Sequence, residues 1–183
     1  TARLNKVRQQ MANHNIDLLF LPRSTNLHYL TGLRRSEPNY GNVIHPGEWV
    51  TGAWITPNAA PIITMPRMVA EKTVLDGYEI RSLPDVQKPV DLTRQVLTDL
   101  KVSTSAKIAL DNRSWAETIL MIQEVLPSAS YSLAEPLLMP LRMVKDETEI
   151  DIMRRAGEIT ELAYESERDK LAHGMTTLDL ISE

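Results

Sequence analysis

The sequence predicts an α/β fold, a mixed sheet of about six strands with helices on both faces. Three observations carry this. Short apolar runs such as Asp17–Leu21, Lys107–Leu110 and Ser130–Leu133 alternate with segments of helical periodicity, which requires crossover connections and parallel neighbours. Two apolar runs flank the turn Pro57-Asn58-Ala59-Ala60, which adds an antiparallel hairpin near one edge. The chain has 183 residues, 43% hydrophobic and 24% charged, enough for one core plus a remainder.

Element by element, Leu4, Val7 and Met11 recur at helical spacing over residues 3–14, and Asn15 suits a left-handed stop. The apolar run Asp17–Leu21 ends at Pro22 and reads as a buried strand. Ser24 to Thr31 reads as a short helix closed by Gly32. Leu33–Glu48 has no periodicity and carries Pro38, Gly41, Pro46 and Gly47, so it reads as a long loop. Trp49–Thr56 and Pro61–Met65 form the hairpin. Arg67–Leu75 follows as a helix, Tyr78–Leu83 as a strand, and Asp91–Leu100 as a helix with Leu92, Val96 and Leu100 on one face. Lys107–Leu110 is a strand, Trp115–Leu126 a helix behind the capping box Ser114-x-x-Glu117, and Ser130–Leu133 the last strand.

The Pro-rich stretch Glu135–Pro140 ends the alternation. Asp146-Glu147-Thr148-Glu149 is a second capping box, and Ile152, Ala156, Ile159 and Ala163 mark a helix running to about Leu171. Gly174 breaks it, and Thr177–Glu183 begins another helix. The charge divides at the same place: residues 141–183 hold 6 basic and 11 acidic side chains, against 14 and 13 before them. Of the aromatic residues only Tyr164 follows residue 140. The expected organisation is an α/β domain over 1–140 and the opening of a second domain over 141–183.

Several functions lose their usual anchors. No apolar run approaches a membrane helix, and there is no signal-peptide pattern. With no cysteine there is no disulfide framework and no thiolate site, and a cytoplasmic protein is expected. There is no basic stripe with interleaved aromatics for nucleic acid. P-loop, dinucleotide-binding and serine-hydrolase motifs are missing, which disfavours a nucleotide-binding doubly wound domain. None of the four histidines stands in a helical metal pair. His14 and His173 read as helix-end residues, and Asn112-Arg113-Ser114 reads as a helix start instead of a glycosylation site. Glu158, Glu161, Glu165 and Asp169 share a helix face and read as a solvated surface, not a metal site.

The segment with functional potential is the loop Leu33–Glu48. It holds Arg34, Arg35, Tyr40 and His45, with Trp49 at its exit. Guanidinium groups bind carboxylates in a two-pronged geometry, and aromatics wall off a pocket.

Asn26-Leu27-His28-Tyr29-Leu30-Thr31-Gly32 resembles the N-x-x-Y-L-[TS]-G segment of the N-terminal domain shared by prolidase, aminopeptidase P and creatinase. Leu141-Arg142-Met143-Val144-Lys145-Asp146-Glu147-Thr148-Glu149-Ile150 resembles the L-R-x-[IV]-K-x-x-x-E-I start of their catalytic domain. Arg154-Arg155-Ala156-Gly157 continues it, and Gly174-Met175-Thr176 is similar to the G-M-T turn after its first helix, with His173 where the family usually has proline.

The resemblance implies a creatinase/prolidase-type N-terminal domain with a ribonuclease H-like motif, followed by the first helices of a truncated pita-bread catalytic domain. It implies an Xaa-Pro dipeptidase or aminopeptidase-type metallohydrolase. There two Asp, one His and two Glu hold two divalent metals, manganese, cobalt or zinc. Those ligands lie beyond the G-M-T turn, so none is assigned here and the chain alone is expected to be inactive. The N-terminal domain of such enzymes mediates homodimerisation and lends residues to substrate access, which points to Arg34, Arg35, Tyr40, His45 and Trp49. Proline-containing peptides or a small amide are the implied substrates, with no nucleic acid or membrane partner. Two other readings stay open: a creatinase-like C–N hydrolase or lyase on the same scaffold, and a freestanding binding or dimerisation module.

Overall fold

The computed structural model describes residues 2–34 and 48–181. The chain divides into two compact units, Thr1–Leu141 and Arg142–Glu183.

The first unit opens with helix α1 (Ala2–Asn13), which turns Leu4, Val7 and Met11 inward. Asn15 takes a φ of 53°. The Asn15 and Ile16 amides donate to the Ala12 and Met11 carbonyls, so the helix ends in a Schellman motif. Strand β1 (Leu18–Pro22) is buried along its whole length. Helix α2 (Thr25–Thr31) is capped by the Ser24 hydroxyl, which accepts from the Leu27 amide, and ends on Gly32 at φ 78°. A residue with a Cβ resists that left-handed geometry.

A 3-10 turn (Glu48–Val50) leads into β2 (Gly52–Ile55) and β3 (Ile62–Pro66). The strand expected from Trp49 therefore starts three residues later. Thr64 explains the shift: its hydroxyl donates to the Val50 carbonyl and accepts from Trp54 Nε1 at 2.8 Å, fixing a turn before the strand begins. Helix α3 (Arg67–Ala70) is one turn long, not the helix to Leu75 that periodicity suggested. Lys72 and Thr73 donate to Val69 and Ala70, tightening the chain to i→i+3 bonds, and Gly77 at φ 81° completes the reversal.

Strand β4 (Glu79–Leu83), helix α4 (Pro89–Asp99), strand β5 (Lys107–Leu110), helix α5 (Ala116–Val125) and strand β6 (Ser130–Leu133) follow as expected. The N-cap of α5 is a correction. Trp115 occupies it without a side-chain bond, while the buried Ser114 hydroxyl has no partner among the described residues. The Asp111 carbonyl takes the Ser114 amide at 3.0 Å, holding Ser114 in a turn outside the helix. The Pro-rich stretch is also a correction, since it forms helix α6 (Glu135–Met143). Pro136 sits in the first turn, where its missing N–H costs nothing, and burial of Leu137 and Leu138 outweighs the break at Pro140.

The sheet order is β4-β3-β2-β1-β5-β6. The β2–β3 hairpin is antiparallel to itself and to β1, and the other neighbours are parallel. Alternation along the strands separates two cores. Leu19, Leu21, Ile55, Ile63 and Met65 join α1, α2 and α6 on one face. Leu18, Phe20, Trp54, Ile62 and Ile108 join α4 and α5 on the other. Phe20 and Trp54 face each other in register with ring centroids 4.4 Å apart.

The second unit contains α7 (Glu147–Lys170) and α8 (Thr177–Ile181). Both bonds of the expected capping box form: the Asp146 side chain accepts from Glu149 N at 2.9 Å, and the Glu149 side chain accepts from Asp146 N at 3.0 Å. Gly174 has φ 95°. Ile152, Ile159 and Leu162 on α7 are exposed. Before α8, the amide and hydroxyl of Thr176 donate to Asp179 at 2.8 and 2.7 Å, which holds that carboxyl below its ordinary range.

Candidate functional site

The ends of the long loop meet the sheet at one place. Pro22, the last residue of β1, pairs with Gly52, the first of β2. Phe20 lies beside Leu110, the last residue of β5. The loop therefore leaves after α2 and returns into β2 at the carboxyl ends of β1 and β5. This is where ligand-binding groups gather in open α/β sheets.

Asp111, the residue after β5, organises this end. It is 5% exposed and accepts three hydrogen bonds. Asn26 Nδ2 donates at 2.7 Å and Ser24 Oγ at 3.3 Å to one carboxylate oxygen, and the Arg113 amide donates at 3.0 Å to the other. The start of α2 is thereby tied to the end of β5. Asp111 holds geometry, because both of its carboxylate oxygens are engaged by donors of the surrounding chain. A carboxylate after the apolar run Lys107–Leu110 was the only sequence signal for it, and its partners lie 85 and 87 residues away.

The tyrosine of the Y-L-T-G string ties the other end of α2. Its hydroxyl donates to the Leu141 carbonyl at 2.8 Å, satisfying a carbonyl near the end of α6. Arg3 stacks over the Tyr29 ring at 4.2 Å and donates to its carbonyl at 3.1 Å. Tyr78 donates to the Leu30 carbonyl at 3.3 Å.

Of the residues expected to serve substrate access, Arg34 and Trp49 are described. Arg34 is exposed, and its carbonyl accepts from Arg23 Nε at 3.2 Å. Trp49 is half-buried against the core shared with α4 and α5, and its carbonyl accepts from the Thr118 hydroxyl at 2.6 Å. Arg35, Tyr40 and His45 lie outside the described residues. The structure thus roots both ends of the loop at the same end of the sheet, with a guanidinium at its start and an indole at its exit.

Gly52 is needed at this junction. A Cβ there would lie 2.5 Å from the Leu21 carbonyl oxygen and 2.6 Å from the Phe20 ring.

Among the described residues no three His, Asp or Glu side chains converge on a point, so they do not fit a metal centre. No described helix is long and apolar enough to cross a membrane. An open polar groove of about 900 Å³ lies between β4 and α4, but its cations are already matched. Arg81 pairs with Glu79 and Asp99, which raises its pKa, the Glu79 hydrogen bond most strongly, and Arg94 pairs with Asp91.

Residues 3–144 match the family described as the creatinase/prolidase N-terminal domain. No curated protein matches the chain in sequence. Among solved structures, recombinant prolidase from Thermococcus sibiricus superposes with a TM-score of 0.83 at 16% identity, covering 97% of this chain and 46% of that one. The dipeptidase from Pyrococcus horikoshii OT3 gives 0.75 at 22% identity, covering 90% and 43%. The creatinase/prolidase N-terminal domain of an X-Pro dipeptidase from Streptococcus pyogenes gives 0.58 at 15% identity, covering 76% of this chain and 98% of that one. At these identities the likeness is one of fold. The chain spans less than half the length of the first two structures.

Proposed function

The chain belongs to the creatinase/prolidase N-terminal domain family, and from that premise we propose that it is the non-catalytic N-terminal part of an Xaa-Pro dipeptidase or aminopeptidase-type hydrolase. The carrying observation is the family match over residues 3–144 together with a whole-chain likeness to prolidase and dipeptidase structures about twice as long. In such an enzyme two divalent metals, manganese, cobalt or zinc, would activate water on ligands outside the described residues. This chain's part is to dimerise and to shape the approach to that centre.

Arg34, Arg35, Tyr40, His45 and Trp49 are the access residues in this reading. Arginine holds the free carboxylate of a short peptide through paired N–H donors, and Trp49, fixed by its packing and by Thr118, limits width. Asp111, Asn26 and Tyr29 position the loop's point of departure.

Steady-state hydrolysis of an Xaa-Pro dipeptide by the longer protein tests this. Arg34→Ala and Arg35→Ala should each raise KM about tenfold or more with a smaller change in kcat, as for a lost charge-assisted contact present in both ground and transition states. Unchanged KM and kcat in both variants would remove these arginines from substrate access.

A further inference from the structure

Helix α6 has a weak point one turn before its end. Pro140 has no N–H to give the Pro136 carbonyl, so the helix lacks a bond there, and Leu141, Arg142 and Met143 are all that follow. A helical stretch that short does not hold itself in water. Two side chains from outside the helix take up carbonyls of this last turn. The Tyr29 hydroxyl donates to the Leu141 carbonyl at 2.8 Å from 112 residues away. The Lys145 ammonium donates to the Met143 carbonyl at 3.2 Å from two residues on.

The two bonds differ in what they are anchored to. Lys145 is exposed and belongs to the segment it caps. Tyr29 is fixed to the body of the first unit: Arg3 stacks over its ring at 4.2 Å and donates to its carbonyl, and Leu27 and Leu30 beside it are buried. The Leu141 side chain packs against the same core, whereas Met143 and Val144 are exposed. On the far side, the capping box at Asp146 fixes the first turn of α7. Unwinding is therefore bounded, by Pro140 at one end and Asp146 at the other.

We infer that the Tyr29 hydroxyl is a latch on the last turn of α6. With the latch closed, Val144 and Lys145 alone separate Met143 from the Asp146 cap. With it open, Leu141 to Lys145 is extended chain. The three unwound residues then lengthen the connection by about 5 Å, the difference between ~3.3 and ~1.5 Å of rise per residue. The connector thus has two lengths, and one phenol hydroxyl sets the balance between them. The inference concerns this segment of the chain and does not rest on the activity proposed above.

Trypsin reads the open form, because a protease takes an extended strand and its cleavage follows the open population when closing is fast. In the 183-residue chain the connector sites are Arg142 and Lys145, and Lys72, exposed in the turn after α3, is the internal control. Tyr29→Phe keeps the ring under Arg3 and removes the donor. First cleavage at Arg142 or Lys145, followed by mass spectrometry, should be about three- to tenfold faster than in the parent, with Lys72 cleaved at the parent rate. Pro140→Ala returns the missing bond and should slow cleavage at the same two sites at least about threefold. Circular dichroism checks that each variant is folded. Equal connector cleavage in the parent and Tyr29→Phe overturns the latch, as does a rise at Lys72 as large as that at the connector. A Pro140→Ala chain cleaved as fast as the parent overturns it too.

Discussion

Replacing Asp111 removes the acceptor that ties α2 to β5. Asn26 donates to it at 2.7 Å, the Arg113 amide at 3.0 Å and Ser24 at 3.3 Å, around a carboxyl only 5% exposed. Hydrogen bonds to a carboxylate contribute ~1.5–3 kcal/mol each when buried, and the longer Ser24 contact less. Asn26 and Ser24 are half-buried, so water recovers part of what they lose. The net cost of Asp111→Ala is therefore about 2–4 kcal/mol, a fall of roughly 5–15 °C in Tm. Asp111→Asn keeps one oxygen acceptor and should lose about half as much. Urea unfolding followed by circular dichroism measures all three variants of a cycle with Asn26→Ala. The coupling between Asp111 and Asn26 should be about 1–2 kcal/mol. A loss below ~0.5 kcal/mol for Asp111→Ala, or strict additivity with Asn26→Ala, would refute the positioning role.

Gly52→Ala should destabilise by about 1–3 kcal/mol or prevent folding, because the new methyl meets the Leu21 backbone at 2.5 Å; a thermal melt within 1–2 °C of the parent would contradict it. Lys101 follows α4 at φ 55°, with its amide bonded to Thr98 and the next amide to Leu97, so Lys101→Gly should stabilise by up to ~1 kcal/mol in urea titrations. Burial raises the pKa of Tyr131, whose hydroxyl has no partner among the described residues. Above pH ~10 the unfolded chain releases that proton before the folded one does, so stability falls as pH rises. Unfolding titrations from pH 9 to 11 should show a shallower fall for Tyr131→Phe, which at neutral pH is neutral or stabilising by up to ~1 kcal/mol.

Most of the fold was legible because its signals are local. Strands β5 and β6 lie where the apolar runs placed them, and Asn15 and Gly32 stop their helices as read, whereas α7 ends at Lys170 on an extended Leu171 and Gly174 turns the chain only afterwards. The misreadings at β2 and α6 trace to partners distant in sequence, while those at α3 and the α5 cap are decided by bonds within a few residues. Ser114-x-x-Glu117 and Asp146-x-x-Glu149 look alike, yet only the second forms both bonds, because the Asp111 carbonyl draws Ser114 into a turn. Glu135–Pro140 reads as the end of the alternation, but Leu137 and Leu138 bury against the core in a further helix and Tyr29 reaches across from α2 to Leu141. The access residues follow from residue type alone, and Arg34 and Trp49 lie at opposite ends of the loop. The role of Asp111 is not legible in the sequence, because nothing near it shows that Ser24 and Asn26 will be its donors.

If this chain is the N-terminal part of an Xaa-Pro hydrolase, as proposed, catalysis lies outside its described residues. The most direct measurement compares Xaa-Pro dipeptide hydrolysis by the 183-residue chain and by the longer protein, each supplied with manganese, cobalt or zinc. Turnover by the longer protein and none by this chain is the expected result. Turnover by this chain alone, or none by the longer protein with any of the three metals, would contradict it.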